Sequence, residues 1–295
     1  MSSSPGSSTR YSRATVGAVS RANFRSTVVA LFVLVFLNYI FYLGPSILKL
    51  TTPTTSDHDD KSVVAAEAGS TSVGLNSCSQ HATPRNVFLD VGSNRGDVLQ
   101  AFYEKKHRHK STNPAWKFGI QPYDPQEWLV YGFEASPVHK DTLVALQQKY
   151  SPNLTVIHPF ALWNKTNETV TLQIDVSPKG QIFGQYGTSI FLNWTYNGEY
   201  QAVDVSTIDF GEWMLQHLCK EDLIYMKMNV EGAEFVLVKQ MMELGLLCWL
   251  DHIDLYWHAS FMGEGKDEAE KLIKLTEQYI DLVCPAISRH TWSKH

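Results

Sequence analysis

Residues 88–98, FLDVGSNRGDV, place an acid at the end of an apolar stretch and two glycines, Gly92 and Gly96, four residues apart. Glycine at such positions lets the backbone approach a ligand that a Cβ atom would hold away. The middle glycine of a dinucleotide-binding loop is missing, and no Gly-Lys-Ser/Thr follows as in nucleoside triphosphate loops. The loop therefore favours a nucleoside that carries no pyrophosphate.

A second acid, Glu134, ends the next apolar stretch, VYGFE at 130–134. Because open α/β sheets bind ligands beyond the carboxyl ends of their strands, Glu134 and the loop after Asp90 should face the same ligand. A carboxylate there can accept charge-assisted hydrogen bonds from both hydroxyls of a ribose. The loop by itself is a weak signal, for which a structural turn is an equal alternative, but together with Glu134 it makes S-adenosylmethionine the leading ligand.

Candidate catalytic groups follow the later apolar stretches: Asn229 and Glu231 come after residues 223–228, and His258 ends IDLYWH. Methyl transfer from a sulfonium to a hydroxyl is an in-line displacement, which a base at the oxygen assists. His258 has the intrinsic pKa for that base. The alternative is a rim histidine satisfied by the backbone, and Glu231 could instead orient the imidazole or bind the acceptor.

Three side chains, Asp251, His252 and Asp254, lie close enough in the sequence to raise the question of a metal site. Alternation along a strand sends neighbouring side chains to opposite faces, which separates them. No cysteine stands in a CxxC pair, so zinc is not expected. We assign no metal site, and the metal dependence of the chemistry stays open.

Strands and helices alternate from Asn86 onward, which predicts an α/β fold with a mostly parallel, doubly wound sheet and helices on both faces. The predicted strands are 86–90, 130–134, 155–162, 169–175, 200–205, 223–228 and 249–257. The predicted helices are 97–106, 140–150, 210–218, 231–244 and 268–279, with a turn at 206–209. The tail from Ile280 should supply the last strands.

Four segments resemble the FkbM-type methyltransferases in order and relative placement: FLDVGSNRGDV, VYGFEASP at 130–137, STID at 206–209 and MKMNVEGAEF at 226–235. The resemblance extends between residues 86 and 258. It implies a Rossmann-like class I methyltransferase domain, S-adenosylmethionine as the methyl donor, and O-methylation, often of sugar hydroxyls.

Carried over by position, the resemblance implies a set of cofactor contacts. It puts Asp90, Gly92, Ser93, Asn94 and Gly96 along the methionine part, Glu134 on the ribose, Phe160 and Ala161 near the adenine, and Gly187-Thr188-Ser189 close to the cofactor. The chain departs from the family at Asn229, where an acid is usual. An amide cannot act as a general base and is a weaker metal ligand.

The first 84 residues are predicted to lie outside this domain. Residues 1–26 are rich in serine and carry four arginines and no acid, and residues 27–48 are apolar over a length that spans about 30 Å of hydrocarbon. A cleaved secretory signal has a shorter apolar core, about 7–15 residues, so we expect an uncleaved anchor with its arginine side in the cytosol. Residues 49–84 then form a lumenal stem, and 85–295 the methyltransferase domain.

Two features agree with a location of the residues beyond the anchor in the lumen of the secretory pathway. The acceptor motifs for N-glycosylation are Asn153, Asn164, Asn167 and Asn193, all beyond the anchor. The four cysteines, Cys78, Cys219, Cys248 and Cys284, lie on the same side and allow three pairings in an oxidising compartment, with no choice among them from sequence.

The predicted donor site, the membrane anchor and the glycosylation motifs together indicate a function in the secretory pathway. We expect a single-pass type II membrane protein, in the Golgi, that methylates a glycan hydroxyl on glycoproteins or glycolipids with S-adenosylmethionine. Alternatives are a lipid or protein side chain as acceptor, or an inactive binding module that kept the fold. A glycosyltransferase would need a metal-binding acidic pair after a strand, which the sequence lacks. The net charge of −5 argues against a nucleic acid as partner.

Overall fold

A computed structural model describes residues 83–105, 123–178, 188–190 and 199–293. The predicted cytosolic tail, the anchor at 27–48 and the stem lie outside the described residues. No helix in the described ranges is both long and apolar enough to cross a membrane.

The helices and strands alternate along the chain, as predicted. The helices are α1 Asp97–Glu104, α2 Lys140–Tyr150, α3 Phe210–His217, α4 Glu234–Glu243 and α5 Lys266–Val283. The strands are β1 Asn86–Val91, β2 Trp128–Phe133, β3 Leu154–Ile157, β4 Ala161–Trp163, β5 Thr169–Asp175, β6 Tyr200–Asp209, β7 Leu223–Met228, β8 His252–Trp257 and β9 Ser288–Ser293.

Six strands form one parallel sheet in the order β3-β2-β1-β7-β8-β9. The order reverses between β1 and β7, because β1 pairs with β2 on one side and with β7 on the other. Such a reversal is where open α/β sheets form a ligand crevice. The predicted α/β class with a parallel sheet is confirmed, and the arrangement is compatible with a Rossmann-like fold.

Helices cover both faces of this sheet, which explains why β1 and β7 are almost continuously apolar. Phe88 and Val130 belong to one buried cluster with side chains of α1 and α2. On the opposite face, Tyr131 and Phe133 pack their rings against Trp213 of α3. Because neighbouring residues of a strand point to opposite faces, these contacts confirm the doubly wound arrangement.

The predicted strand 155–162 is in fact two strands that belong to different sheets. β3 ends at Ile157 in the large sheet, and β4 begins at Ala161 in a small sheet of order β4-β6-β5. Pro159 lies between them and has no N–H to donate to a strand partner, so the pairing is interrupted there.

The predicted turn at 206–209 is also wrong, because β6 continues to Asp209. Residues 207–209 pair with β4, and Ser206 before them pairs with Thr169 of β5, and these contacts hold the segment extended. Asp209 still starts the following helix as predicted, since its side chain accepts a hydrogen bond from the N–H of Glu212.

Helix α4 begins at Glu234 and not at 231 as predicted. Glu231 and Gly232 have φ of 52° and 115°, values that a right-handed helix excludes. The predicted stop at Gly245 is confirmed, with φ of 69° after the last turn. β8 starts at His252 because residues 246–249 form a 3₁₀ turn, and the tail supplies β9 as expected.

One disulfide joins Cys248, in the turn before β8, to Cys284 at the end of α5. This selects one of the three pairings that the sequence left open. Cys219 also takes part in a disulfide, and Cys78 lies outside the described residues.

Candidate functional site

A cleft opens where β1, β2 and β7 end, at the reversal of strand order. It is lined by eight of the residues singled out in the sequence: Gly92, Asn94, Glu134, Phe160, Ala161, Thr188, Asn229 and Glu231. The lining therefore joins the first half of the domain, which carries the candidate cofactor residues, to the second half, which carries the candidate catalytic ones.

Gly92 fixes the loop after β1 against the loop after β7. It has φ of 84°, and its N–H donates to the carbonyl of Phe133 at 3.0 Å. A Cβ atom at Gly92 would collide with the backbone carbonyl of Asn229. Glycine is thus required first by the approach of two protein loops, and not by the ligand space that the sequence argument had assigned to it.

Three predicted cofactor residues support this loop and do not line the cleft. Asp90 is fully buried, and its Oδ1 lies 3.0 Å from Nζ of Lys227. Ser93 Oγ donates to the carbonyl of Asp90 at 2.9 Å. Gly96 makes room for α2, because a Cβ atom there would collide with Leu146. Burial raises the pKa of Asp90 and outweighs the attraction of Lys227.

Glu134 is held in place by two backbone donors. Its Oε2 accepts the N–H of Asn94 and its Oε1 accepts the N–H of Ser136, both at 2.7 Å. A carboxylate offers about four acceptor positions, so both oxygens keep capacity for further donors. Burial raises the pKa of Glu134 in spite of the two N–H donors, which oppose the rise.

Phe160 and Ala161 begin an apolar wall at the start of β4 that continues into Leu162 and Trp163. Phe160 keeps 38% of its surface exposed although it lines the cleft. A flat aromatic ring with one free face suits a purine or another planar group. Phe160 and Ala161 thus line the same cleft as Glu134.

His258 does not occupy the place predicted for it. Its side chain is completely buried, with Nε2 at 3.3 Å from Oε2 of Glu231 and Nδ1 at 3.1 Å from Oε1 of Glu234. It is neither at the rim nor in the lining of the cleft, so it cannot touch an acceptor there. Of the three side chains, only that of Glu231 lines the cleft.

Asn229 lines the cleft beside Glu231. Its backbone N–H donates to the carbonyl of Val91 at 2.9 Å, which ties the loop after β7 to the end of β1. Its Oδ1 is buried and accepts no hydrogen bond within the described part of the chain. A buried amide oxygen without a donor is costly, and a ligand that brings an N–H or O–H would satisfy it.

The small-residue segment that the resemblance put close to the cofactor is next to the site. Thr188 lines the cleft, and Ser189 Oγ donates to the carbonyl of Glu231 at 2.7 Å. Ser189 also pairs through its backbone with Gln173 of β5, which fixes the segment to the small sheet. Gly187 lies outside the described residues.

Two residues next to the site were not assigned to it from the sequence. Glu234 begins helix α4, and it accepts the backbone N–H of His258 at 2.7 Å as well as facing its ring. Because Glu231 lies outside the helix with φ of 52°, helical spacing gave no signal that Glu231 and Glu234 share a neighbour. Lys227 was the second: a lysine inside an apolar strand is seldom buried without a partner.

The cleft is acidic. Its described lining contains the carboxylates of Glu134 and Glu231 and no lysine, arginine or histidine side chain. The nearest buried cation, Lys227, donates to the carbonyl of Gly92 at 2.7 Å and pairs with Asp90, outside the lining. Such a field attracts cations and repels phosphates.

The predicted glycosylation sites differ in their surroundings. Asn164 and Asn167 are exposed between β4 and β5. Asn153 is half-buried, and its side-chain amide donates to the carbonyl of Gln126. Asn193 lies outside the described residues.

No group of three or more histidine, cysteine, aspartate or glutamate side chains within the described ranges is arranged to hold a metal ion. No family model, curated protein or solved structure matches the chain.

Proposed function

We propose that the chain is an S-adenosylmethionine-dependent O-methyltransferase with a class I, Rossmann-like catalytic domain. One observation carries the proposal. The carboxylate of Glu134 is fixed by the N–H groups of Asn94 and Ser136 at the edge of a cleft whose described lining holds no cationic side chain.

That combination fits the donor better than it fits other nucleosides. Both Glu134 oxygens can accept ribose hydroxyls, and Phe160 offers a ring face for adenine. The sulfonium carries a positive charge, which the carboxylates of Glu134 and Glu231 favour. Dinucleotides and most sugar nucleotides carry a pyrophosphate, which the same cleft disfavours because its described lining offers no cation to pair with it.

The donor would be held chiefly by Glu134, Asn94, Phe160 and Ala161, with Gly92 shaping the loop beneath it. When bound, S-adenosylmethionine supplies an electrophilic methyl group. The chain has to align an acceptor oxygen with that methyl, keep water out, and take the oxygen's proton. Asn229 supports alignment, because its unsatisfied Oδ1 can accept the hydrogen of an incoming hydroxyl.

We assign the acceptor to the hydroxyls of glycans on glycoproteins or glycolipids. The predicted anchor at 27–48 and the stem would hold the domain in the Golgi lumen, where glycans are the abundant source of hydroxyls. Trp163 and Ile190 give the cleft an apolar side that a sugar's C–H face can cover. Two outcomes compete with this proposal. The acceptor could be a lipid or a protein side chain, or the domain could bind the donor without catalysing a reaction.

Calorimetry on the full-length chain in detergent tests the donor. S-adenosylmethionine should bind and a nucleotide sugar should not. Glu134→Ala should weaken donor binding about ten- to hundredfold, because a charge-assisted hydrogen bond contributes about 1.5–3 kcal/mol. Glu168→Ala is the matched control, since that glutamate pairs with Lys165 on the surface. Binding of the nucleotide sugar in place of the donor would contradict the proposal.

Glycan mass spectrometry tests the acceptor. Cells without the gene should lose methyl groups from hexose or deoxyhexose residues. An unchanged glycome with altered lipid or peptide methylation would reject the acceptor class and leave the reaction class standing. Protease protection of intact microsomes tests the orientation, because the domain from residue 85 onward should be protected and carry N-glycans.

A further inference from the structure

We propose that Glu231, and not the histidine that the sequence favoured, takes the proton of the acceptor hydroxyl, while His258 and Glu234 position it from behind. The inference rests on the proposed function and assigns roles within the same site. It starts from access: Glu231 lines the cleft with its side chain 10% exposed, whereas the side chains of His258 and Glu234 are 0% exposed.

The backbone around Glu231 is arranged to bring that carboxylate to the cleft. Glu231 adopts φ of 52°, the left-handed region that side chains other than glycine rarely occupy. The turn is secured on both sides: Ser189 Oγ donates to the carbonyl of Glu231 at 2.7 Å, and the N–H of Gly232 donates to Oε2 of Glu234 at 2.7 Å. Backbone strain that the surroundings enforce is characteristic of functional positions.

Contacts on both sides of the ring orient His258 behind Glu231. Its Nδ1 faces Oε1 of Glu234 at 3.1 Å. On the other side, its Nε2 lies 3.3 Å from Oε2 of Glu231, close enough for an ion pair when the imidazole is protonated and Glu231 is ionised. The imidazole thus holds the Glu231 carboxylate at the wall of the cleft.

The reaction step balances with this assignment. The acceptor O–H gives its proton to the Glu231 carboxylate, and the oxygen's electron pair forms the new C–O bond to the methyl carbon. The C–S bond breaks with its electron pair on sulfur, so the sulfonium becomes a neutral thioether. Glu231 then returns the proton to solvent when the product leaves. His258 and Glu234 touch neither reactant and are positioning residues.

Glu231→Gly is the variant of choice, because glycine accepts φ of 52° without strain, so the carboxylate is removed without adding backbone strain to the loss of its contact with His258. The assay uses the full-length chain in detergent, labelled S-adenosylmethionine, and glycoproteins from cells lacking the gene. We expect turnover at saturating donor to fall about 10²–10⁴-fold, the usual contribution of a general base. Donor affinity should fall far less, because Glu134 and the other donor contacts remain and only one of the two carboxylates that favour the sulfonium is lost. Added formate should restore part of the turnover in this variant, since it can enter the space as a replacement carboxylate.

His258→Gln distinguishes positioning from catalysis. Glutamine can still donate a hydrogen bond to Glu231 but brings no positive charge, so the pKa of Glu231 should rise. The acid limb of the pH–kcat profile should therefore move to higher pH, with turnover at the optimum reduced less than in Glu231→Gly. A purely structural role for His258 would lower activity without moving the limb.

Two outcomes separate the inference from the function it rests on. If Glu231→Gly binds the donor and turns over like the wild type, the inference is wrong and the methyltransferase proposal survives. If the wild type binds no donor and transfers no methyl, both fail together. If His258→Gln lost turnover while Glu231→Gly kept full activity, the general base would be His258 and not Glu231.

Discussion

Nζ of Lys227 lies 3.0 Å from Oδ1 of Asp90 and donates to the carbonyl of Gly92 at 2.7 Å. The two charged residues are direct register partners across β1 and β7, the strands between which the sheet order reverses. One ammonium thus neutralises a fully buried acid and secures the loop that follows it. The two halves of the cleft are held at a fixed separation by this contact.

The same junction makes Gly92 sensitive to substitution. We predict that Gly92→Ala destabilises the fold and weakens donor binding, because its Cβ would collide with the Asn229 carbonyl. The left-handed conformation costs alanine about 1–2 kcal/mol, and the overpacking about 1–3 kcal/mol more. Denaturant unfolding gives the stability and calorimetry the affinity.

Gly245→Ala is the matched control for this prediction. Gly245 has a similar φ of 69°, but an added Cβ would have no neighbour within 4 Å. It should lose only the conformational part, about 1–2 kcal/mol, and bind the donor normally. Equal losses of stability in the two variants would show that the collision with Asn229 has no effect.

Donor binding should depend on pH through Glu134. Burial raises the pKa of Glu134 above the usual value for a glutamate, despite the N–H donors of Ser136 and Asn94. Only the ionised carboxylate accepts hydrogen bonds from both ribose hydroxyls. Donor affinity should therefore be constant at pH values well above the raised pKa and fall as the pH drops through it. Glu134→Gln should flatten this dependence in a calorimetric titration series, and an unchanged profile would remove Glu134 from the donor site.

The buried carboxylate of Asp222, just before the central strand β7, should make the free energy of unfolding depend on pH. Burial disfavours its carboxylate, but the Arg85 side chain and the N–H groups of Arg85 and Cys219 outweigh burial and lower the pKa of Asp222. A lowered pKa in the folded state means that the stabilisation is present above the unfolded value of about 3.9 and is lost as the pH falls through the folded value.

Asp222→Asn should accordingly cost about 1.5–3 kcal/mol in the free energy of unfolding at pH 7, and the difference from the wild type should shrink below about pH 4. Urea unfolding at both pH values measures it. Asp281→Asn is the control: Asp281 also pairs with an arginine, Arg289, but its side chain is 62% exposed, so its effect should be smaller. A pH-independent loss in Asp222→Asn would contradict the ionic explanation.

The disulfide between Cys248 and Cys284 spans 36 residues and should stabilise the fold by about 4 kcal/mol through restriction of the unfolded chain. The double variant Cys248→Ser, Cys284→Ser isolates this effect, whereas a reductant would also act on the disulfide of Cys219. Thermal unfolding of the double variant under oxidising conditions is the measurement. Unchanged stability would mean that the packing of α5 suffices.

Much of the fold could be predicted because local signals agree with the tertiary structure. The predicted bounds of α2, β5 and β7 are those observed, since each is a clear periodic or apolar stretch with distinct ends. The break at Pro159 and the extension of β6 to Asp209 depend on which distant strand offers hydrogen bonds. No local pattern contains that information.

Part of the candidate site could likewise be predicted from the sequence, and part of it could not. Glu134 and Asn229 could be assigned to a cleft because strand-end position alone brings them there. The complete burial of the His258 side chain could not be predicted. It depends on the left-handed turn at Glu231 and on Glu234 of α4. A strand-end histidine can lie on either side of such a turn.

The pairing of β1 with β7 has a consequence for biosynthesis. Lys227 follows Gly92 by 135 residues, an interval of roughly 7–27 s at the usual ribosomal rate of about 5–20 residues per second. Throughout that delay, one edge of β1 has no native partner, and Asp90 has no ammonium. An open strand edge can pair with another chain, so a product that stops short of residue 223 should aggregate more readily than the whole domain.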